Sequence, residues 1–196
     1  MKPLSIDALK QLFTEARTYR AWLSKAVQDE DLKAIYELMK WGPTSANLCP
    51  ARIVFLRNGP EKEKLIACLS PTNVDKVKGA PVTAIIAQDL LFYDKLQTLF
   101  PQAPAYRDTF ASDKALAEAT AFRNSSLQGA YFILAARALG FDCGPMSGFD
   151  NQKVDELFFS NTAWKSNFIC NIGYGDKTTL FPRLPRLAFE EACQIR

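Results

Sequence analysis

Four separated segments of this 196-residue chain carry side chains suited to chemistry. Ala16-Arg17-Thr18-Tyr19-Arg20-Ala21-Trp22 puts two arginines and a hydroxyl where a helix ends. Trp41-Gly42-Pro43-Thr44-Ser45-Ala46-Asn47-Leu48-Cys49-Pro50 is a polar loop between an expected helix and an expected strand. Gly140 through Asp150 reads as a glycine-rich loop opening a helix, and Phe181-Pro182-Arg183-Leu184-Pro185-Arg186 closes the set. Arginines beside hydroxyls suit a terminal phosphate, which favours charge-assisted and often bidentate donors. A loop of small residues lets backbone N–H groups approach a planar ring closely. Taken singly, each segment also has an ordinary structural reading as solvated charges, a turn, or a helix cap. The chain contains no histidine, which excludes histidine-based zinc sites, Ser-His-Asp triads and histidine general bases.

The elements that must position these segments follow from spacing. Ser5 is an N-cap candidate before Ile6, Leu9, Leu12 and Phe13 at helical spacing. A second helix is expected from Asp29, with Leu32, Ile35, Tyr36 and Met39 on one face and Gly42-Pro43 as its stop. Arg52–Arg57 and Pro81–Ala87 read as buried strands, with a turn at Asn58-Gly59-Pro60 and a short helix over Glu61–Leu69 between them. Residues 91–109 are aromatic and aperiodic. The longest helix is expected from Ser112 to Leu139. Its apolar Phe122, Leu127, Ala130, Tyr131 and Leu134 predict a central helix buried on most sides. Asp150 caps a further helix, Asn167–Gly173 is the last strand, and the tail beyond Asp176 is expected to be extended.

This order predicts an α+β fold, a small sheet wrapped by helices, in a single domain over residues 1–196. No GxGxxG follows the first strand, which disfavours a dinucleotide-binding α/β domain. The 24 basic and 21 acidic residues leave a net charge of +3, too small for generic nucleic-acid binding. No segment approaches the roughly eighteen unbroken apolar residues of a membrane span. The cysteines (Cys49, Cys68, Cys143, Cys170 and Cys193) show no CxxC spacing, and the start lacks a signal-peptide core. A soluble cytoplasmic protein is therefore expected.

In that order the four segments resemble the FMN-dependent nitroreductase family, over nearly the whole chain. Three stretches are similar to its malonic semialdehyde reductase (3-hydroxypropanoate dehydrogenase) branch of pyrimidine degradation. They are Met39–Asn47, Phe122–Gln128 and Gly144–Asp150, together with the close Ile172–Asp176 and Arg183–Arg186. The resemblance implies a nitroreductase-like fold with a small mixed or antiparallel sheet around a long central helix, in a domain-swapped type of homodimer. It implies FMN at the dimer interface, NADH or NADPH as hydride donor, and ping-pong hydride transfer to a small acceptor with no obligatory protein acid or base. The acceptor implied by the branch is malonic semialdehyde; the alternative is a broad nitroreductase or quinone reductase.

The implied cofactor contacts are Arg17, Thr18 and Arg20 from the N-terminal motif. Pro43, Thr44, Ser45 and Asn47 form a loop serving the flavin of the other subunit. Asn73 and Lys76 face the pyrimidine ring, Pro145, Met146, Ser147 and Gly148 form the loop whose amide meets flavin N5, and Arg183 holds phosphate. Ala16 stands where the family commonly has the first of two basic residues, and Phe181 where it has a lysine. Arg123 and Asn124 are candidate substrate contacts, Arg123 for the acceptor's carboxylate and Asn124 for its aldehyde oxygen. A salt bridge, within the helix or across subunits, is the competing reading for Arg123.

Overall fold

The computed structural model describes residues 2–196. Ser5 caps the first helix as expected, its hydroxyl accepting from the Ala8 N–H. That helix, α1 (Ile6–Leu9), is short and widens into a π-turn over Lys10–Thr14. Helix α2 (Asp29–Met39) buries Leu32, Ile35 and Met39 and starts with a reciprocal Gln28–Asp31 cap. Strand β1 (Ala51–Arg57) leads into α3 (Pro60–Ile66) and α4 (Pro71–Gly79), and β2 (Val82–Asp89) follows, buried throughout. The aromatic stretch forms the short α5 (Leu96–Leu99) and α6 (Ala105–Ser112). Asp113 then caps the long α7 (Lys114–Ala138). Beyond it come β3 (Asp142–Met146), α8 (Asn151–Phe158) and β4 (Trp164–Gly173). The tail is extended apart from a 3-10 turn and the short α9 (Phe189–Ala192), and it is exposed from Phe181 on.

The four strands run β1-β2-β4-β3, all antiparallel; this settles the expected sheet as antiparallel rather than mixed. A lone parallel bridge, Thr18 to Cys143, tethers the N-terminal arginine segment to β3. One core lies between the sheet, α2 and α7, built on Ile35, Ile86, Phe132, Cys170 and Ile172; a second lies on the opposite sheet face, under α3, α4 and α8.

Two expectations are corrected. The stretch from Gly140 to Asp150 is not a loop throughout: Asp142–Met146 is an edge strand, and only residues 147–149 link it to α8. Pro145 is tolerated there because an edge strand leaves one row of N–H positions unpaired. Second, α7 is not buried by the large apolar residues expected to bury it; of its large side chains Phe132 is the one that is fully buried. Its inner stripe is Ala117, Ala121, Ser125 and Gly129, flanked by buried Thr120, Asn124 and Gln128. A Cβ on Gly129 would sit 2.5 Å from the Phe168 ring, so the inner face must be small to reach the sheet. Phe122 and Leu127 instead point outward, at 53% and 46% exposure, the Tyr131 ring lies over Gly42 and stays partly exposed, and Tyr36 of α2 is half exposed.

Candidate cofactor and substrate site

Residues 16–20 and 179–183 zip together through arginines bonded to backbone carbonyls. Arg17 donates to the Phe181 carbonyl (2.5 Å), Arg20 to that of Thr179 (3.2 Å), and Arg183 back to that of Ala16 (2.8 Å). The Arg20 guanidinium also stacks on the Phe181 ring, 3.7 Å from its centroid. Between these segments lies a cavity of about 640 Å³ lined by Arg17, Thr18, Arg20, Arg137, Arg183 and Arg186, with no aspartate or glutamate in its wall. So many guanidiniums around one space, uncompensated by carboxylates, favour an anion. Four of the residues expected to bind cofactor (Arg17, Thr18, Arg20 and Arg183) thus share one cavity. Arg137 has no signal in the sequence, because a cation in the last turn of a helix is an ordinary complement to the helix dipole.

Asn73, Lys76 and Gly148 form a second group. The Asn73 amide donates to the Gly148 carbonyl (3.0 Å) and accepts from Lys76 Nζ (2.9 Å). The Ser70 N–H bonds the same carbonyl (3.0 Å), and a Cβ at Gly148 would sit 2.6 Å from the Asn73 nitrogen. Only glycine therefore lets the 147–149 turn close onto α4. A buried chain from Thr83 Oγ1 to Asn171 to the Lys76 carbonyl fixes the last turn of α4 against the sheet. Trp22 Nε1 donates to the same carbonyl (3.2 Å), which links this group to the arginine segment. Pro145 and Met146 lie half-buried on β3 and Ser147 is exposed at its end.

The third group is the loop after α2. Pro43, Ser45 and Asn47 are exposed and Thr44 half-buried. Ala46, Asn47 and Cys49 all adopt positive φ (45°, 53° and 42°), a concentration of backbone strain that persists only where surroundings over-determine it. The supports come from α7: Asn124 Oδ1 accepts from the Ser45 N–H (2.8 Å) and Gln128 Oε1 from the Ala51 N–H (2.9 Å). Asn124 is buried and its Nδ2 donates to Thr120 O (2.9 Å), so both ends of its amide are engaged within the protomer. Its neighbour Arg123 is exposed and enters no ion pair among the described residues. From Asn124 to Arg137 the rise of α7 amounts to about 20 Å. The strained loop and the arginine cavity are held at opposite parts of that helix.

Several ionisable groups carry environmental shifts. Burial raises the Asp142 carboxyl above its ordinary value, opposed by the Gly175 N–H, Lys177 and Arg137. The Cys170 thiol, buried against Cys143, is held well above its usual range by its hydrogen bond to that neighbour and by burial. Both thiols are core residues, as expected, and chemically quiet. Among the described residues no cluster of three histidine, cysteine, aspartate or glutamate side chains could hold a metal, and no helix is long and apolar enough to cross a membrane.

Residues 14–174 match the sequence model of the nitroreductase family. The chain belongs to the nitroreductase family. A relative from Polynucleobacter asymbioticus, provisionally named an NADH dehydrogenase/NAD(P)H nitroreductase, is 56% identical over 98% of this chain and 97% of its own length. Among solved structures, a Bacillus subtilis nitroreductase, also provisionally named, superposes with a TM-score of 0.87 at 22% identity, covering 98% of this chain and all (100%) of its own. A further one from Exiguobacterium sibiricum, crystallised in complex with FMN, gives 0.86 at 18% identity with both chains fully (100%) covered. The fold of this nitroreductase is thus the one that its N-terminal, α2–β1, β3–α8 and tail segments foreshadow.

Proposed function

We propose that this nitroreductase is an FMN-dependent NAD(P)H oxidoreductase whose acceptor is malonic semialdehyde, reduced to 3-hydroxypropanoate. The observation that carries the cofactor reading is the carboxylate-free cavity that gathers Arg17, Thr18 and Arg183. Its donor set fits the terminal phosphate of FMN, and a buried Arg137 Nε with no hydrogen-bond partner fits it further. The chemistry supplied by bound FMN is two-electron hydride transfer, in from NAD(P)H and out to the acceptor in separate half-reactions.

The chain's own residues do the rest. Arg17, Thr18 and Arg183 would hold phosphate. Lys76, oriented by Asn73, would place a cation beside the pyrimidine edge, where negative charge builds on reduction. Arg20, stacked on Phe181, stiffens the wall from which it can reach the same edge. The 145–148 segment, with the Gly148 carbonyl held by Asn73 and Ser70, presents a fixed backbone to the ring. Asn124 serves as the support of the Thr44–Asn47 loop, and Arg123 is left as the group to hold the acceptor's carboxylate.

The site is completed by a second copy of the chain. In one protomer the loop and the arginine cavity stand about 20 Å apart along α7, so the loop is placed to serve its partner's cofactor. The large apolar residues left exposed support the homodimer: Phe122, Leu127 and Tyr131 on α7, Trp41 after α2, and Leu184, Leu187 and Phe189 in the tail.

A second reading, a broad nitro- or quinone reductase, is favoured by the name of the Polynucleobacter relative. Steady-state turnover separates the two. On the first reading Arg123→Met raises KM for the semialdehyde about tenfold or more, the loss of one charge-assisted contact, and leaves menadione and nitrofurazone reduction unchanged. Equal losses on charged and uncharged acceptors, or no turnover of the semialdehyde, would leave the broad reading standing.

A further inference from the structure

Arg137 stands apart from the other arginines of the cavity. Arg17, Arg20 and Arg183 spend donors on carbonyls that zip the two wall segments together, and Arg186 caps carbonyls of its own segment. Arg137 reaches the same cavity from the last turn of α7. One terminal nitrogen donates to the Leu12 carbonyl (3.1 Å), but its Nε is buried and is the single buried side-chain polar atom without a partner among the described residues. A buried N–H of a guanidinium costs free energy when unpaired, so natural structures supply a partner or hold the group for a ligand. No carboxylate lies within ion-pair distance of it among the described residues. Ala16, in the same wall, contributes no cation.

We propose that Arg137 is a phosphate ligand of this site, its guanidinium, with one terminal nitrogen on Leu12, donating to a terminal phosphate oxygen and its charge replacing the one Ala16 lacks. The inference rests on the FMN reading above and adds a residue to it. The helix sets the guanidinium rigidly: α7 is packed on the sheet, the Gln11 side chain donates to the Arg137 carbonyl (2.6 Å), and the bond to Leu12 fixes one edge of the fork. A planar fork held this way loses little freedom when the phosphate arrives.

The test compares FMN with riboflavin, which has the same ring and no phosphate. Release of each from the loaded protein on dilution is followed by recovered flavin fluorescence for wild type, Arg137→Met and Arg137→Lys. The expected result is a loss of FMN affinity of about ten- to a hundredfold in Arg137→Met, a smaller loss in Arg137→Lys, and riboflavin affinity unchanged in both. Added inorganic phosphate should accordingly weaken FMN binding to wild type more than to the variants. Equal losses for FMN and riboflavin would assign Arg137 to the Leu12 contact alone and overturn the proposal, as would unchanged FMN binding. If Arg137→Met does not fold, the Lys variant with the phosphate competition decides by the same criterion. Wild type that binds neither flavin would refute the cofactor reading itself.

Discussion

Lys62 on α3 is 1% exposed, and its ammonium donates to the Ala80 carbonyl, at the end of α4, and to Asn58 Oδ1 (3.0 Å). Burial is the main cause that lowers its pKa to about 8, with Glu63 opposing. In the unfolded chain the same lysine titrates near 10.4. Between those two values the unfolded state binds the proton and the folded state does not, so stability contributed by this group rises with pH across that window. Below about pH 8 both states are protonated and the penalty of burying the charge is constant. The linkage gives a rise of about 1 kcal/mol by pH 9 and between about 2 and 3 kcal/mol by pH 10. Lys62→Met removes the titration. Its effect at pH 7 mixes relief of the buried charge with the loss of two hydrogen bonds, so the informative quantity is the pH slope of wild type minus variant. Denaturant unfolding at fixed protein and FMN concentration, from pH 7 to 10, measures it, since other groups cancel in the difference when they do not couple to this site. Parallel profiles, or a difference that falls as pH rises, would refute the reasoning. Because the Ala80 carbonyl ends the helix that carries Asn73 and Lys76, the same titration bears on the stiffness of the cofactor wall.

The remaining expectations concern the site. Arg183→Ala should weaken FMN by about ten- to a hundredfold and spare riboflavin; an equal loss of both would make its bond to the Ala16 carbonyl its whole role. Asn124→Ala removes the hydrogen bond to the exposed Ser45 N–H at a cost of about 0.5–1.5 kcal/mol, lowering Tm by about 2–4 °C per kcal/mol for a protein of this size. Because the loop stands apart from the arginine cavity proposed for the phosphate, that variant should weaken FMN and riboflavin alike, and a loss confined to FMN would contradict that placement. Sedimentation should give a homodimer at working concentrations, whereas a folded, flavin-loaded monomer would defeat the shared-site reading.

What the sequence disclosed, and what it hid, follows from how each residue type is used. The strand at Ile85 was legible because β-branching and burial coincide there, and the helix over 114–138 by its length and apolar content, although the residues read as its buried face are exposed. Helix α4 was not, since PTNVDKVKG offers only two valines to set a period; its start was nonetheless marked by Ser70 before Pro71, which stands at the first helical position. Strand β3 was hidden because DCGPM has the composition of a turn, and only its place at the sheet edge lets glycine and proline serve as a strand. The arginine cavity was legible in four of its members because they sit in short motifs. Arg137 was invisible because the neighbours that give it meaning are more than a hundred residues away in sequence, at Leu12.

The apolar residues of α7 show why composition alone misplaced the core. Where α7 crosses Phe168 and Ile86 of the sheet there is room only for Gly129, while Ala117 and Ala121 pack against Leu48, Phe92 and Leu96. Only Phe132, one turn further on, inserts a large ring into the core; Phe122 and Leu127 face away from the protomer. Such a helix is costly for an isolated subunit, which exposes Phe122, Leu127 and Tyr131 to water. It suits a subunit whose partner covers that face and brings its own Thr44–Asn47 loop with it. On this reading the buried polar row of Thr120, Asn124 and Gln128 and the exposed apolar row have one cause. The first fixes the loop that a protomer would lend, and the second the face that a partner would cover.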